Sequence, residues 1–241
     1  MKKNTFDIII LIGRPASGKS EIIAHLKECQ DEKRCESFHV GKLDFLDDFP
    51  MLWAWFEEDY ILEEILGQPR LHTNSDGYFK DNYLWHLLIE RFNIEYPKRL
   101  RMENYHDEHS LIIEFSRGSE HGGYTEALQH LGEDILKRAA IMYVNVPFEE
   151  SLRKNRRRFN PDRPDSILEH SLPDDKLERL YKEDDWAEFS KTDSEFVTIN
   201  DLKIPYVVFE NEDDVTTNTP VLLAERLEET LSKLWMLKEK K

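Results

Sequence analysis

Short apolar segments alternate along this chain with longer stretches in which apolar residues recur at helical spacing. Five of these short segments lie at residues 6–12, 37–40, 111–115, 140–146 and 205–209. Such segments are typical of strands buried on both faces of a parallel sheet. Parallel strands need crossover connections, which the helical stretches between them can supply. The pattern therefore predicts a three-layer α/β fold with a five-stranded parallel sheet flanked by helices.

A long stretch between two predicted strands, at about 44–110, has a helical pattern. It is rich in aromatic side chains: Trp53, Trp55, Phe56, Tyr60, Tyr78, Tyr83 and Trp85. These rings could stack on a ligand, but their helical spacing is more typical of core packing, so we predict none of them as a site residue. We expect one domain over residues 1–241, with a helical acceptor insert at about 44–110 and a lid region at about 150–200.

One local motif carries specific chemistry. Residues 13–20 read Gly-Arg-Pro-Ala-Ser-Gly-Lys-Ser and match the phosphate-binding loop Gly-x-x-x-x-Gly-Lys-[Ser/Thr] at every position, between a predicted strand and a predicted helix. Glycines let successive N–H groups turn inward, and the helix adds its positive N-terminal end. We predict that the loop binds ATP, with Lys19 on the β- and γ-phosphates and Ser20 on Mg²⁺. The predicted nucleotide-binding residues are Gly13, Arg14, Pro15, Ala16, Ser17, Gly18, Lys19, Ser20 and Glu21.

Charge and hydropathy limit the partners. The formal net charge is -16, which disfavours nucleic acid and acidic membranes as general partners. No apolar run is long enough to cross a bilayer and none has the pattern of a signal peptide, so we expect a cytoplasmic protein. An amphipathic helix predicted at 221–237 could contribute to a homodimer contact through Leu231, Leu234 and Trp235.

Elimination favours the kinase-like class of phosphate-loop proteins. The chain lacks the Asn-Lys-x-Asp guanine motif of GTPases and the apolar strand ending in Asp-Glu of transport or motor ATPases. Kinases of this kind close an arginine-rich lid over the triphosphate. Arg156, Arg157 and Arg158, with Arg163 shortly after, are the candidate lid, and we predict the first three as catalytic. The alternative is a solvated basic helix face in an acidic protein.

With these motifs the chain resembles the nucleoside and nucleoside monophosphate kinase group, and in the lid it is most similar to deoxynucleoside kinases. The similarity lies in the phosphate loop, the Arg153, Arg156 and Arg158 spacing, and the later segments at 177–181 and 184–186. The resemblance implies an acceptor-binding arginine after the third strand. Here Arg117 stands two places later than in the family's Glu-Arg-Ser.

The resemblance also implies a carboxylate base at the end of the second strand. Asp44 is our candidate, with Asp47 and Asp48 as competitors. An N-cap of the following helix is the alternative role for Asp44. Glu114 ends the third strand, where it could hold Mg²⁺ or contact the acceptor, or remain a solvated carboxylate. The predicted acceptor-binding residues are thus Asp44, Glu114 and Arg117, and the predicted Mg²⁺ ligands are Ser20 and Glu114.

These features predict an ATP- and Mg²⁺-dependent phosphotransferase whose acceptor is a small nucleoside, nucleotide or other hydroxylated metabolite. The alternative is a non-catalytic ATP-binding switch or interaction protein, or an ATPase. A polynucleotide 5′-kinase is a third hypothesis, which the acidic charge disfavours. Fold analogy does not identify the acceptor.

Overall fold

A computed structural model describes residues 4–158 and 171–240 of the chain. Its sheet has six strands in the order β2-β3-β1-β4-β6-β5. They are β1 (Ile8–Gly13), β2 (Lys42–Asp47), β3 (His109–Phe115), β4 (Ala139–Asn145), β5 (Phe196–Ile199) and β6 (Leu202–Glu210). All pair in parallel except β5, which runs antiparallel to β6 at one edge.

Helices cover both faces of this sheet. In chain order they are α1 (Lys19–Glu28), α2 (Asp31–Phe38), α3 (Phe49–Tyr60), α4 (Tyr83–Arg99), α5 (Tyr105–Glu108), α6 (Gly123–Gln129), α7 (Glu133–Leu136), α8 (Phe148–Arg158), α9 (Asp174–Tyr181), α10 (Trp186–Ser190), α11 (Val215–Asn218) and α12 (Pro220–Lys240). One π-helical turn, Ile61–Ile65, extends α3.

Strand β1 shows how the two cores form. Its side chains alternate between faces, so Ile8, Ile10 and Ile12 pack with α4, α6 and α7, whereas Ile9 and Leu11 pack with α1 and α12. All five are buried. The predicted α/β fold, with a mostly parallel sheet between two helical layers, is confirmed.

The sheet has six strands, not the five predicted, because the sequence pattern did not indicate β5. This strand has four residues and forms a hairpin with β6 through Asn200 and Asp201, which adopt φ of 48° and 64°. Two consecutive residues with positive φ are typical of a type I′ turn, where Asn and Asp are tolerated. The mixture of polar and apolar residues in so short an edge strand left no run to detect.

The second predicted strand, at 37–40, is wrong. Helix α2 continues to Phe38, and His39 ends it with a φ of 54°. Phe38 and Val40 are apolar because they fill the core on the α1 and α12 face. The actual strand, β2, is an edge strand with exposed and half-buried positions, so it reads as polar. Its carboxyl end is therefore Asp47, and Asp44 lies in its middle.

The C-terminal helix α12 includes the predicted segment, but its apolar side faces inward. Leu231 and Leu234 are fully buried in the core, and Trp235 packs edge-on against Phe6. These leucines are unavailable for the dimer contact predicted from them. Across the described residues, no helix combines the length and the hydropathy that crossing a membrane requires.

Candidate functional site

The phosphate loop joins the end of β1 to the start of α1. Gly18 has a φ of 110°, and a Cβ there would lie 2.6 Å from Asn211 Nδ2 and 2.7 Å from Thr216 Oγ1. Gly13 lies equally close to β4, where a Cβ would meet the carbonyl oxygen of Val144 at 2.6 Å. Asn211 in turn donates to the carbonyl of Ser17 at 2.7 Å. Close packing against Val144, Asn211 and Thr216 therefore fixes the curvature of the loop.

Lys19 is buried at the base of this loop. Its Nζ donates to the carbonyls of Gly13 at 3.1 Å and Arg14 at 3.0 Å, and to Ser116 Oγ at 2.9 Å. Burial lowers the pKa of Lys19, while Glu114, 3.9 Å away, opposes that shift. The ammonium group is thus held at the carboxyl edge of the sheet by neutral oxygens and one carboxylate.

Arg14, predicted to bind nucleotide, instead anchors the loop through its side chain. The guanidinium donates to the carbonyls of Val146, Tyr181 and Lys182 at 3.1–3.2 Å and pairs with Asp184 at 2.8 Å. It therefore ties the phosphate loop to the end of α9. The other predicted loop residues, 15–21, line a common cavity.

This cavity, of about 590 Å³, extends from the phosphate loop to a chamber formed by α3, the segment 77–85, the turn after β3, and α9. Aromatic side chains dominate the chamber: Phe49, Trp53, Phe56, Tyr78, Phe79, Trp85 and Tyr181. Several of these were interpreted from the sequence as core residues alone. Helical periodicity could not separate the two roles, because the half-buried aromatic residues of α3 that line the chamber recur at the same spacing as core residues would.

Two carboxylates face the phosphate loop across this cavity. Asp47 and Glu114 are register partners at the carboxyl ends of β2 and β3, and both line the cavity. Although Asp47 is accessible from the mouth, desolvation by the protein wall raises its pKa to about 7, assisted by Asp48 and Glu114. Burial also raises the pKa of Glu114, against the attraction of Lys19. One proton acceptor poised near neutral pH thus lies beside Lys19.

Asp44 is not part of the cavity, which corrects the predicted base. It lies in mid-strand, where Oδ2 accepts from Tyr105 Oη at 2.7 Å and from Arg99 Nε at 3.1 Å. These bonds fasten β2 to α4 and α5. The error follows from the misplaced second strand, which moved the expected strand end three residues too early.

Arg117 lies in the chamber wall and is only 1% exposed. Its Nη1 donates to Asp48 Oδ2 at 2.6 Å, and Nη2 donates to the carbonyl of Trp85 at 3.0 Å. The guanidinium also stands 5.2 Å from the Trp85 ring centre. The structure therefore brings Arg117 to the cavity, as expected, but with its charge already paired.

Of the predicted lid arginines within residues 4–158, one reaches the cavity. Arg158 lines it and donates from Nη2 to Ser20 Oγ at 3.1 Å. Arg156 pairs with Asp174 at 2.7 Å on the surface, and Arg157 is exposed outside the lining. The alternative interpretation, a solvated basic helix face, thus fits these two residues. Arg163 lies outside the described residues.

The part of the chamber wall formed by α9 carries cationic side chains. Lys176 Nζ lies 5.1 Å from the Tyr78 ring centre and donates to the carbonyl of Gly77 at 3.3 Å. Arg179 lies 4.2 Å over the same ring and pairs with Glu120 at 2.7 Å. The resemblance in the sequence covered the segment 177–181, which includes Arg179 but not Lys176, and the place of both residues in a cavity depends on the tertiary fold.

The loop residues fit a Mg²⁺-bound nucleoside triphosphate. Inward-turned glycines and the unpaired first N–H groups of α1 form an anion cradle, with Lys19 and Arg158 as counter-charges. Mg²⁺ needs few protein ligands when phosphates supply oxygens, and the Ser20 hydroxyl with the Glu114 carboxylate are suitable donors. Among the described residues no group of three or more His, Cys, Asp or Glu side chains forms a separate metal site.

Comparisons with known proteins find likeness in structure alone. No family model and no curated protein matches the sequence. The chain is similar to an unliganded sugar kinase from Janibacter sp. HTCC2649, with 13% identity over 96% of this chain and 98% of that one, at a TM-score of 0.43. It is also similar to shikimate kinase from Acinetobacter baumannii in complex with shikimate, with 16% identity over 78% of each chain and a TM-score of 0.34. Such low values carry no information on activity.

Proposed function

We propose that this chain is an ATP- and Mg²⁺-dependent phosphotransferase that acts on a hydroxyl group of a small metabolite. The observation that carries the proposal is one cavity with a phosphate loop at one end, an aromatic chamber at the other, and Asp47 and Glu114 beside Lys19. A protein that only bound nucleotide would not need an aromatic chamber continuous with the loop.

The phosphate-loop residues would hold the triphosphate. Backbone N–H groups from Ala16 to Ser20 and the Lys19 ammonium bind phosphate oxygens, and Arg158 supplies charge from the lid side. Ser20 and Glu114 would hold Mg²⁺, which offsets phosphate charge when bound. Arg158 already contacts Ser20, so α8 serves as the lid element in this proposal.

Asp47 takes the role of base in place of Asp44. It would accept the proton of the acceptor hydroxyl as that oxygen bonds to the γ-phosphorus, while the bond between the γ-phosphorus and the β-bridging oxygen breaks and ADP leaves. The proton then passes from Asp47 to solvent. A carboxylate with a pKa of about 7 is ionised for roughly half of the molecules at neutral pH and is a stronger base than an ordinary Asp.

The aromatic chamber would bind the acceptor and exclude water. Trp53, Phe56 and Trp85 line the chamber with apolar surface against which a ring or a carbon skeleton would pack, and water exclusion protects the γ-phosphate from hydrolysis. In this proposal the insert at 44–110 is the acceptor-binding region and the region 150–200 is the lid, both within one domain. A nucleoside, a nucleotide or another hydroxylated metabolite fits these requirements.

The test is phosphoryl transfer from γ-labelled ATP with Mg²⁺ to a panel of nucleosides, nucleotides, sugars and hydroxy acids. We expect transfer to one chemical class, abolished in Lys19→Ala and unchanged in Lys27→Ala, a lysine on the same helix outside the cavity. Tight ATP binding without transfer to any member would reject the enzyme and favour a nucleotide-dependent switch.

A further inference from the structure

The chamber end of the cavity differs in charge from the rest of the molecule. The chain carries a formal net charge of -16, yet α9 places Lys176 and Arg179 in the cavity lining. Arg179 is balanced by Glu120, just as Arg117 is balanced by Asp48. Within the part of the chain that the structure describes, Lys176 has no carboxylate partner; its Nζ meets a backbone carbonyl and the face of Tyr78. Lys176 is thus a cation of the cavity lining that forms no ion pair with the described residues.

A buried hydrogen-bond donor without a partner among the described residues lies in the same wall. His121 is 2% exposed, and its ring stacks on Trp85 with 3.9 Å between ring centres. The Nδ1 atom accepts the N–H of Gly118 at 3.3 Å, so a neutral imidazole carries its proton on Nε2. That Nε2 is buried and has no partner among the described residues. Burial and the charge of Arg117 lower the pKa of His121 to about 3, which keeps the ring neutral.

Unpaired buried donors are costly, because such groups lose their hydrogen bonds to water. The Nε of Arg117 is a second donor of this kind in the same wall. A ligand that carries lone pairs and negative charge can accept a hydrogen bond from such a donor and pair with Lys176, whereas a neutral ligand leaves Lys176 without an ion pair. The aromatic rings that enclose the donors lower the local dielectric and strengthen the attraction for an anion.

We propose that the phosphate acceptor is itself an anion, whose carboxylate or phosphate-ester group is bound by Lys176 at the α9 end of the cavity, with the Nε2–H of His121 donating to the same molecule. This inference rests on the proposed function and deepens it, since it names the chemical class of the acceptor. Lys176 on α9 and Asp47 at the carboxyl end of β2 line the same cavity from different elements, so a hydroxyl group of the bound anion can face Asp47.

The test compares neutral and anionic ligands that share a skeleton. The pairs are ribose and ribose 5-phosphate, glucose and glucuronate, and thymidine and thymidine 5′-monophosphate. Binding is measured calorimetrically with Mg²⁺ and a saturating non-hydrolysable ATP analogue, so that the phosphate loop is already filled. We expect the anionic member of the best-bound pair to bind at least about ten-fold more tightly, with a preference that falls as salt rises.

Two sets of variants locate the anion. Lys176→Gln should weaken binding of that anion by about ten-fold, and Lys182→Gln by less than about two-fold, because Lys182 follows the same helix, pairs with Glu178 and lies outside the cavity. His121→Asn keeps an acceptor for the Gly118 N–H and loses the Nε2 donor, so it should weaken binding by about five- to ten-fold. His121→Gln, which places an amide N–H near the Nε2 position, should retain most of the affinity.

The outcomes separate this inference from the proposed function. Equal or tighter binding of the neutral member in every pair, binding of none of the six compounds, or equal effects of Lys176→Gln and Lys182→Gln would each overturn the anionic acceptor. Phosphoryl transfer to a neutral acceptor alone would overturn it while leaving the kinase in place. Conversely, anion binding that depends on Lys176 without transfer from ATP would keep the anion site and reject the kinase.

Discussion

Arg117 Nη1 donates to Asp48 Oδ2 at 2.6 Å, and both side chains are buried in the cavity wall. Asp48 precedes α3 and Arg117 follows β3, so one ion pair joins the helical insert at 44–110 to the central sheet. The second amino group of Arg117, bonded to the Trp85 carbonyl, extends the link to the start of α4. The shape of the chamber thus depends on this pair.

Removing one partner should be strongly destabilising. Asp48→Ala leaves a buried guanidinium without its counter-charge, and we expect a loss of about 3–5 kcal/mol in the free energy of unfolding, measured in urea. The control is Asp213→Ala, which breaks a surface pair with Arg226 of the same 2.6 Å length and should cost less than about 1 kcal/mol. Similar losses in the two variants would contradict the role assigned to the buried pair.

The parts of the site that follow from local backbone chemistry were predictable from the sequence. The phosphate loop needs glycine at positions of unusual φ and lysine at a helix start, and these requirements are written in consecutive residues. Likewise β1, β3 and β4 are central strands whose burial on both faces gives continuous apolar runs.

The rest of the site depends on relationships between distant segments. Asp44 was preferred to Asp47 as the candidate base because β2 is an edge strand. Its exposed polar positions leave no apolar run that would mark where the strand begins and ends. Trp85 and His121 are 36 positions apart in the sequence, yet their rings stack in the cavity wall. Lys176, on α9, lines the same cavity. The periodicity of a single segment cannot predict contacts between residues of distant segments.

Glycine at position 18 should be indispensable. In Gly18→Ala the new Cβ would lie 2.6 Å from Asn211 Nδ2 in a backbone with a φ of 110°, so the loop must move. We expect loss of ATP-analogue binding in calorimetry and a lower melting temperature. Gly67→Ala is the matched control, since Gly67 also has positive φ, of 61°, but nothing lies within 4 Å of the added carbon. That variant should cost only about 1 kcal/mol of stability and bind nucleotide normally.

Among the arginines of α8, Arg158 should be the one that matters for turnover. It contacts Ser20 beside the phosphate loop, whereas Arg157 is exposed outside the cavity lining. We expect Arg158→Gln to lower kcat by at least about 10²-fold, as loss of a transition-state charge does, and Arg157→Gln to leave it within about two-fold. An equal loss in both variants would indicate that the described position of α8 differs from its catalytic position.

Asp47 should also make stability depend on pH. Because burial and the neighbouring carboxylates raise its pKa from 3.8 to about 7 on folding, the native state holds this proton more tightly than the unfolded chain does. The contribution of Asp47 is therefore present at low pH and is lost as pH rises towards 7. Asp47→Asn should raise the melting temperature relative to the parent at pH 8 and make little difference at pH 4. A variant that is less stable at pH 8 would contradict this sign.

If Asp47 is the base, its ionisation should determine how kcat/KM depends on pH. Only ionised Asp47 can accept the hydroxyl proton, so kcat/KM should rise with pH and level off above about 7, since this ratio reports groups of the free enzyme. Asp47→Asn should abolish this limb and lower kcat by about 10²–10⁴-fold. Asp44→Asn is the control, because Asp44 bonds Arg99 and Tyr105 outside the cavity and its loss should leave the limb in place. A limb that survives in Asp47→Asn but vanishes in Glu114→Gln would transfer the role of base to Glu114, whose pKa burial also raises.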